Sequence, residues 1–271
     1  MKEPGGNMDQ NELIDKITKE VAARLRGQMG TTETPNTNAG TTFSKPRLSA
    51  TELARYIDHT LLKPEAIQPQ FDQLCNEALQ YKFMSVCVNS SWVPYVAKKL
   101  RGTGIKICSV IGFPLGEMDT RSKAFETRSA ISSGADEIDM VINVGALKSR
   151  NLKLVEEDIR AIKRACRSNT ILKVIIETHL LTEEEKVLAC EISKKADADY
   201  VKTCTGFLGG GATVPDIALM RAVVGPKLGV KASGGIKDFG QAVALINAGA
   251  SRLGCGASVA IITGAEVKGN Y

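Results

Sequence analysis

Aromatic side chains make up only 5% of this 271-residue chain, with a single Trp, and there are two histidines, His59 and His179. So few rings, with no basic cluster interleaved among them, argue against nucleic acid as a partner. Two histidines cannot supply a histidine-rich metal centre. The seven cysteines (75, 87, 108, 166, 190, 204 and 255) are scattered, odd in number and never in a C-x-x-C pair. That spacing speaks against a disulfide scaffold and against a zinc site. No apolar run approaches the roughly 20 residues that span a bilayer, and the N-terminus lacks the apolar stretch of a secretory signal. A cytoplasmic protein with no membrane partner is expected. The net charge of +5 is mild and spread along the chain. What remains for chemistry is lysines, carboxylates and backbone.

What is present divides at residue 47. Asp9 can cap a helix, and Glu12 three positions later completes a capping-box pattern. Leu13, Ile14, Ile17, Val21 and Leu25 fall within one arc of a helical wheel, with Asp15, Lys16, Lys19, Glu20 and Arg26 elsewhere. Residues 1–27 therefore read as an amphipathic helical extension that stops at Gly27. Residues 28–47 turn to Thr, Asn, Gly and Pro, a linker composition that buries too little apolar surface to order itself.

From Leu48 onward, short apolar segments alternate with helix-period segments. The strands are predicted at Tyr56–Asp58, Met84–Val88, Lys106–Ile111, Glu137–Val141, Leu172–Ile176, Tyr200–Lys202, Gly229–Ala232 and Arg252–Gly254. Helices are predicted at 70–81, 92–100, 119–133, 153–167, 182–195, 213–224 and 238–248. The strands are short and apolar, not alternating, as for parallel strands buried on both faces. Residues 48–271 thus predict an α/β domain, a (β/α)8 barrel of TIM type. A doubly wound open sheet is the alternative that pattern alone leaves.

In such a barrel, function gathers at the C-terminal ends of the strands. Asp58 and Thr60 close the first, Glu137 and Asp139 lie in the fourth, and Lys202 and Lys231 stand near the ends of the sixth and seventh. A lysine inside an apolar strand is costly unless paired or neutral. Two ammonium groups at similar depth depress one another, leaving one as the free amine that forms a Schiff base with a carbonyl. The pattern does not say which lysine attacks. Independently, Ser233-Gly234-Gly235-Ile236 follows strand seven, and Gly254-Cys255-Gly256-Ala257-Ser258 follows strand eight at a predicted helix start. Backbone amides of those two loops bind phosphate in many barrels. Gly206 and Gly209-Gly210-Gly211 give a glycine-rich loop after strand six, either a hinge or a permissive turn.

At these residues the chain strongly resembles the deoxyribose-phosphate aldolase family. The matching stretches include Ile57-Asp58-His59-Thr60-Leu61-Leu62-Lys63-Pro64, Gly112-Phe113-Pro114-Leu115-Gly116, Gly134-Ala135-Asp136-Glu137-Ile138-Asp139-Met140-Val141-Ile142-Asn143, Val174-Ile175-Ile176-Glu177-Thr178, Val201-Lys202-Thr203-Cys204-Thr205-Gly206-Phe207 and Val230-Lys231-Ala232-Ser233-Gly234-Gly235-Ile236. They span the barrel from about Leu48 onward. The resemblance implies a class I aldolase with no metal and no cofactor. Such enzymes reversibly cleave 2-deoxy-D-ribose 5-phosphate to D-glyceraldehyde 3-phosphate and acetaldehyde, in deoxyribose phosphate catabolism. It implies Lys202 as the Schiff-base lysine, Lys231 as the second lysine that tunes it, and Asp139 as the carboxylate that moves protons through a water. Some members end in a tyrosine that folds back to the site, a role open to Tyr271.

Asp58, Thr60, Thr205, Gly206, Ser233, Gly234, Gly235, Gly254, Gly256 and Ser258 are the candidate substrate- and phosphate-binding positions. Two departures stand out. Cys255-Gly256-Ala257 replaces a Thr-Ser-Ser-like loop, leaving Ser258 and backbone amides for phosphate. Phe207 stands where some relatives carry a lysine. His59 and Cys87 are given no catalytic role. The layout of helix, linker and enzyme resembles encapsulation peptides of bacterial microcompartments, which implies a shell protein as partner for residues 9–26 and a place inside such a compartment. A homo-oligomer, dimer or tetramer, is expected. The competing readings are a Schiff-base barrel aldolase for a different phosphosugar or aldehyde, and a non-catalytic assembly component.

Overall fold

The computed structural model describes residues 48–265. The amphipathic helix at 9–26, the linker at 28–47 and Tyr271 lie outside the described residues.

Each strand is followed by a helix that its sequence starts and stops. Strand β1 (Ile57–Leu61) leads to α2 (Gln68–Tyr81), which follows a short α1 (Ala50–Ala54) capped by Ser49 and Glu52. Helix α2 has Pro69 in its first turn, where the missing N–H costs nothing, and ends on left-handed Lys82. Then come β2 (Ser85–Asn89), α3 (Val93–Lys99) and β3 (Lys106–Ile111). Helix α4 (Thr120–Ser132) is capped by Asp119, whose carboxylate accepts from the amides of Arg121 and Ser122. Strand β4 (Glu137–Val141) is followed by α5 (Val144–Lys148) and α6 (Leu152–Ala165), and β5 (Ile171–Ile175) by α7 (Glu183–Lys195) with a Thr182/Glu185 capping box. The rest is β6 (Tyr200–Lys202), α8 (Val214–Val224), β7 (Gly229–Ser233), α9 (Phe239–Asn247), β8 (Arg252–Cys255) and α10 (Ser258–Thr263).

All eight strands pair in parallel and in order, and β1 pairs with β8 through Ile57↔Leu253 and Asp58↔Gly254. That pairing closes the barrel and rules out the open sheet. The helical shell is pinned to it from outside by Lys123 of α4, which is fully buried and reaches both Asp158 of α6 (2.7 Å) and the carbonyl of Val141 (3.0 Å). Among the described residues, no helix is long and apolar enough to cross a membrane.

Strands β3, β4 and β6 fall where the sequence places them. Strand β1 does not: it begins at Ile57 and continues through His59 and Thr60 to Leu61. These polar side chains find partners inside the fold. His59 bonds Glu77 of α2 and Ser258, and Thr60 donates to the carbonyl of Asp58. Asp58 therefore lies one residue into β1, not at its end.

Candidate active site

The barrel interior holds a dense ionic cluster assembled by strand register. Asp139 of β4 is the in-register neighbour of Lys173 of β5, while Lys202 of β6 pairs with Lys231 of β7, which pairs with Arg252 of β8. Alternation then turns Glu137 and Asp139 to the same side of β4. Asp139 receives three ammonium groups at 2.8 Å each: Lys173 on Oδ1, and both Lys202 and Lys231 on Oδ2. Below it, Asp58 meets Lys231 at 2.5 Å and Arg252 at 2.7 Å. Glu137 meets Lys173 at 2.6 Å and Arg252 at 3.0 Å. The Cys108 thiol also donates to Asp139 Oδ1 at 3.1 Å.

These charges are withdrawn from water, so pairing decides their state. Burial opposes ionisation of Asp139, yet Lys173, Lys202 and Lys231 together outweigh it and hold the carboxyl well below its ordinary range. Asp58 is likewise held low: burial is overcome by Lys231, Arg252 and Lys173. On the cationic side, burial works against the Lys231 ammonium, but Asp139 and Asp58 overcome it and raise its pKa. Lys173 is also held well above the usual lysine value, burial being overcome by Asp139 and then by Cys108, Glu137 and Asp58. The expectation that two crowded ammonium groups drive one of them neutral is thus incomplete. The two carboxylates beside Lys231, Asp139 and Asp58, favour its charged form.

A count of charges identifies the odd member. Asp58, Glu137 and Asp139 balance Lys173, Lys231 and Arg252, three against three, and Lys202 is a further amine in contact with the set. It is also the cluster member that, among the described residues, lines the open cavity of about 430 Å³ at the C-terminal ends of the strands. That volume lies within the range of small-ligand sites, about 300–1,000 Å³.

The far wall of this cavity is formed by Gly206 and Phe207 after β6, by Ser233 at the end of β7 and the turn that follows to Lys237, and by Gly254–Ala257, which spans the end of β8 and its loop. A Cβ on Gly234 would stand 3.2 Å from Gly211 Cα, so the two loops touch through bare backbone. Gly254 has a different reason to be glycine: a Cβ there would lie 3.1 Å from Lys231 Cε. It clears space for that lysine.

The family model for DeoC/LacD family aldolases matches residues 53–262. The chain belongs to the DeoC/LacD aldolase family. A deoxyribose-phosphate aldolase of Brevibacillus brevis is 60% identical to this family member over 216 residues, 80% of this chain and 97% of the relative. One from Streptococcus gordonii is 58% identical over 220 residues, 81% of this chain and 100% of the relative. A solved structure described as the unique tetrameric structure of deoxyribose phosphate aldolase from Aeropyrum pernix superposes with a TM-score of 0.74 at 32% identity, covering 79% of this chain and 91% of that one.

In this DeoC/LacD aldolase the fold brings Lys202, Lys231 and Asp139 into direct contact, and Thr60, Thr205, Gly206, Ser233, Gly234, Gly235, Gly254 and Gly256 onto the cavity wall. Two expected ligand contacts are corrected. Asp58 is fully buried against Lys231 and Arg252, beneath the cavity, so it secures cations and does not face a ligand. Ser258 is also fully buried; its hydroxyl donates to the carbonyl of Cys255 (2.8 Å) and bonds His59 (2.9 Å), leaving it no reach toward a phosphate. Two lysines not assigned from the sequence line the cavity instead, Lys63 and Lys237. Lys237 had a signal, since it directly follows the Gly234-Gly235-Ile236 turn. Lys173 and Arg252 were also unassigned.

Proposed function

We propose that this aldolase reversibly cleaves 2-deoxy-D-ribose 5-phosphate to D-glyceraldehyde 3-phosphate and acetaldehyde through an imine on Lys202. The observation that carries the choice of nucleophile is access: Lys202, itself only 3% exposed, lines the cavity, whereas Lys173 and Lys231, at 0%, do not. With Lys202 as the free amine, the cluster around it is neutral. Its Nζ adds to C1 of the open-chain sugar, and loss of water from the carbinolamine gives the protonated imine. That cation forms where an ammonium would sit, 2.8 Å from Asp139 Oδ2. Asp139 removes the C3 hydroxyl proton through a water, which lets the C2–C3 bond break and leaves an enamine. Protonation of the enamine and hydrolysis release acetaldehyde. Lys231 remains cationic and keeps Asp139 ionised between proton transfers. The phosphate rests over Gly234-Gly235 and Gly256, with Lys63 and Lys237 on the cavity wall supplying positive charge. Phosphate binding far from the scissile bond positions that bond for reaction.

Purified full-length protein incubated with deoxyribose 5-phosphate is expected to release acetaldehyde and glyceraldehyde 3-phosphate in equal amounts. No cleavage of this sugar, with turnover of another phosphosugar, would move the substrate assignment to the competing aldolase reading.

The protein acts in the cytoplasm as a homo-oligomer in this proposal, a reading supported by the tetramer named for the Aeropyrum pernix relative. The segment before residue 53 lies outside the family match, and its helix-and-linker pattern supports a second assignment: residues 9–26 tether the enzyme to a microcompartment shell protein. Deleting residues 1–47 is expected to leave the aldolase rate within about twofold and to abolish co-purification with shell protein. Collapse of activity in the truncated protein would instead place the segment in the fold.

A further inference from the structure

We infer that His179 is a positioning residue that latches the glycine-rich loop after β6 and thereby sets preference for a phosphorylated substrate. The inference rests on the reading that a phosphosugar fills the cavity. His179 lies in the short turn after β5 and does not line the cavity. Its Nε2 bonds the carbonyl of Leu208 at 2.8 Å, and because a carbonyl only accepts, Nε2 carries the proton. On its other side Nδ1 lies 3.1 Å from Glu177 Oε1. Glu177 is fully buried with left-handed backbone (φ 58°), and its Oε1 has no hydrogen bond among the described residues. Its Oε2 accepts from the amide of Thr205 at 3.0 Å. Glu177 and His179 thus hold the loop at two points, Thr205 and Leu208.

The imidazole also explains Gly210. A Cβ on Gly210 would sit 2.6 Å from His179 Cβ and Cγ, and Gly210 has φ +70°. The loop backbone is pressed against the ring and then continues onto the β7 turn, where the amide of Ala212 donates to the carbonyl of Gly234 at 2.9 Å. A Cβ on Gly211 would stand 2.8 Å from that same carbonyl oxygen. His179 therefore braces, through loop backbone, the Gly234-Gly235 turn that receives the phosphate. None of its contacts reaches Lys202 or Asp139. Its influence falls on the phosphate end of the substrate and not on the reacting carbons.

The test compares wild type, His179→Ala and His179→Gln with 2-deoxyribose 5-phosphate and with unphosphorylated 2-deoxyribose. His179→Ala is expected to raise KM for the phosphorylated sugar about tenfold, the equivalent of one hydrogen bond, with kcat changed less than about twofold. For 2-deoxyribose, kcat/KM stays within about twofold. His179→Gln, whose amide can still donate to the Leu208 carbonyl, recovers most of the loss. Unchanged KM, or equal losses on both sugars, overturns the latch. Hydrogen–deuterium exchange of residues 205–212 judges it without turnover: faster exchange in His179→Ala supports the latch and unchanged exchange refutes it, even if the wild-type protein cleaves neither sugar and the substrate reading fails.

Discussion

Lys202→Leu is expected to eliminate borohydride-dependent trapping of acetaldehyde and to lower aldol cleavage on the order of 10⁴-fold or more, as when a covalent nucleophile is deleted elsewhere. The fold should survive the change. Lys202, as the free amine, adds no charge to a cluster in which Lys173, Lys231 and Arg252 already match three carboxylates, so its removal leaves the cluster balanced. Peptide mapping of the trapped wild-type protein should place the ethyl adduct on Lys202. An adduct on Lys231, or trapping that persists in the variant, would show that the cavity opens onto a different amine from the one identified here.

The opposite profile is expected at Lys173, where stability carries the effect. Its ammonium is fully buried and bridges Glu137 at 2.6 Å and Asp139 at 2.8 Å. Lys173→Met keeps the volume but leaves a surplus of buried negative charge, and breaking such a pair costs about 3–5 kcal/mol. Urea unfolding at pH 7 measures the loss. A change under about 0.5 kcal/mol would mean that the bridge is worth no more than an ordinary surface pair. Adding Glu137→Gln to Lys173→Met should return part of the stability, since it removes the surplus negative charge and leaves two carboxylates facing Lys231 and Arg252. The pH dependence has a definite sign. Asp139 is held below its unfolded value, so its contribution is full above roughly pH 4 and is lost as pH falls toward the folded value. Without Lys173 the depression is smaller, and acid unfolding should begin at higher pH than in the wild type.

These two lysines show how far the sequence could be read. Lys202 is legible because it ends an apolar strand, where barrel chemistry collects, and Lys231 because the predicted run Gly229–Ala232 puts it one residue from the end, although in β7 it is the third of five. Lys173 carries a similar local signal, being flanked by Leu172 and Val174, but it stands second in the predicted run Leu172–Ile176, far from the C-terminal end, and its partners depend on the β4–β5 register that aligns Asp139 with it. Register between distant strands is not written in either strand alone. The place of Asp58 is hidden for a related reason. A strand ending at Asp58 would put the carboxylate at the mouth; β1 instead runs on to Leu61 because His59 and Thr60 are satisfied inside the fold. The helices α1 and α5 went unseen because five residues are too few to display a helical period. Ser258 shows the limit of motif reading: the residue type suits a phosphate, while its hydroxyl is already committed to Cys255 and His59.

The cluster around Asp139 draws Asp58 from β1, Cys108 from β3, Glu137 from β4, and Lys173, Lys202, Lys231 and Arg252 from β5, β6, β7 and β8. Seven staves of the barrel meet in one knot of charge; the first four strands supply its carboxylates and the last four their counter-ions. The chemistry cannot be inherited piecemeal from a partly wound chain: until the first and last strands join, the reactive amine has no setting in which to be the exception.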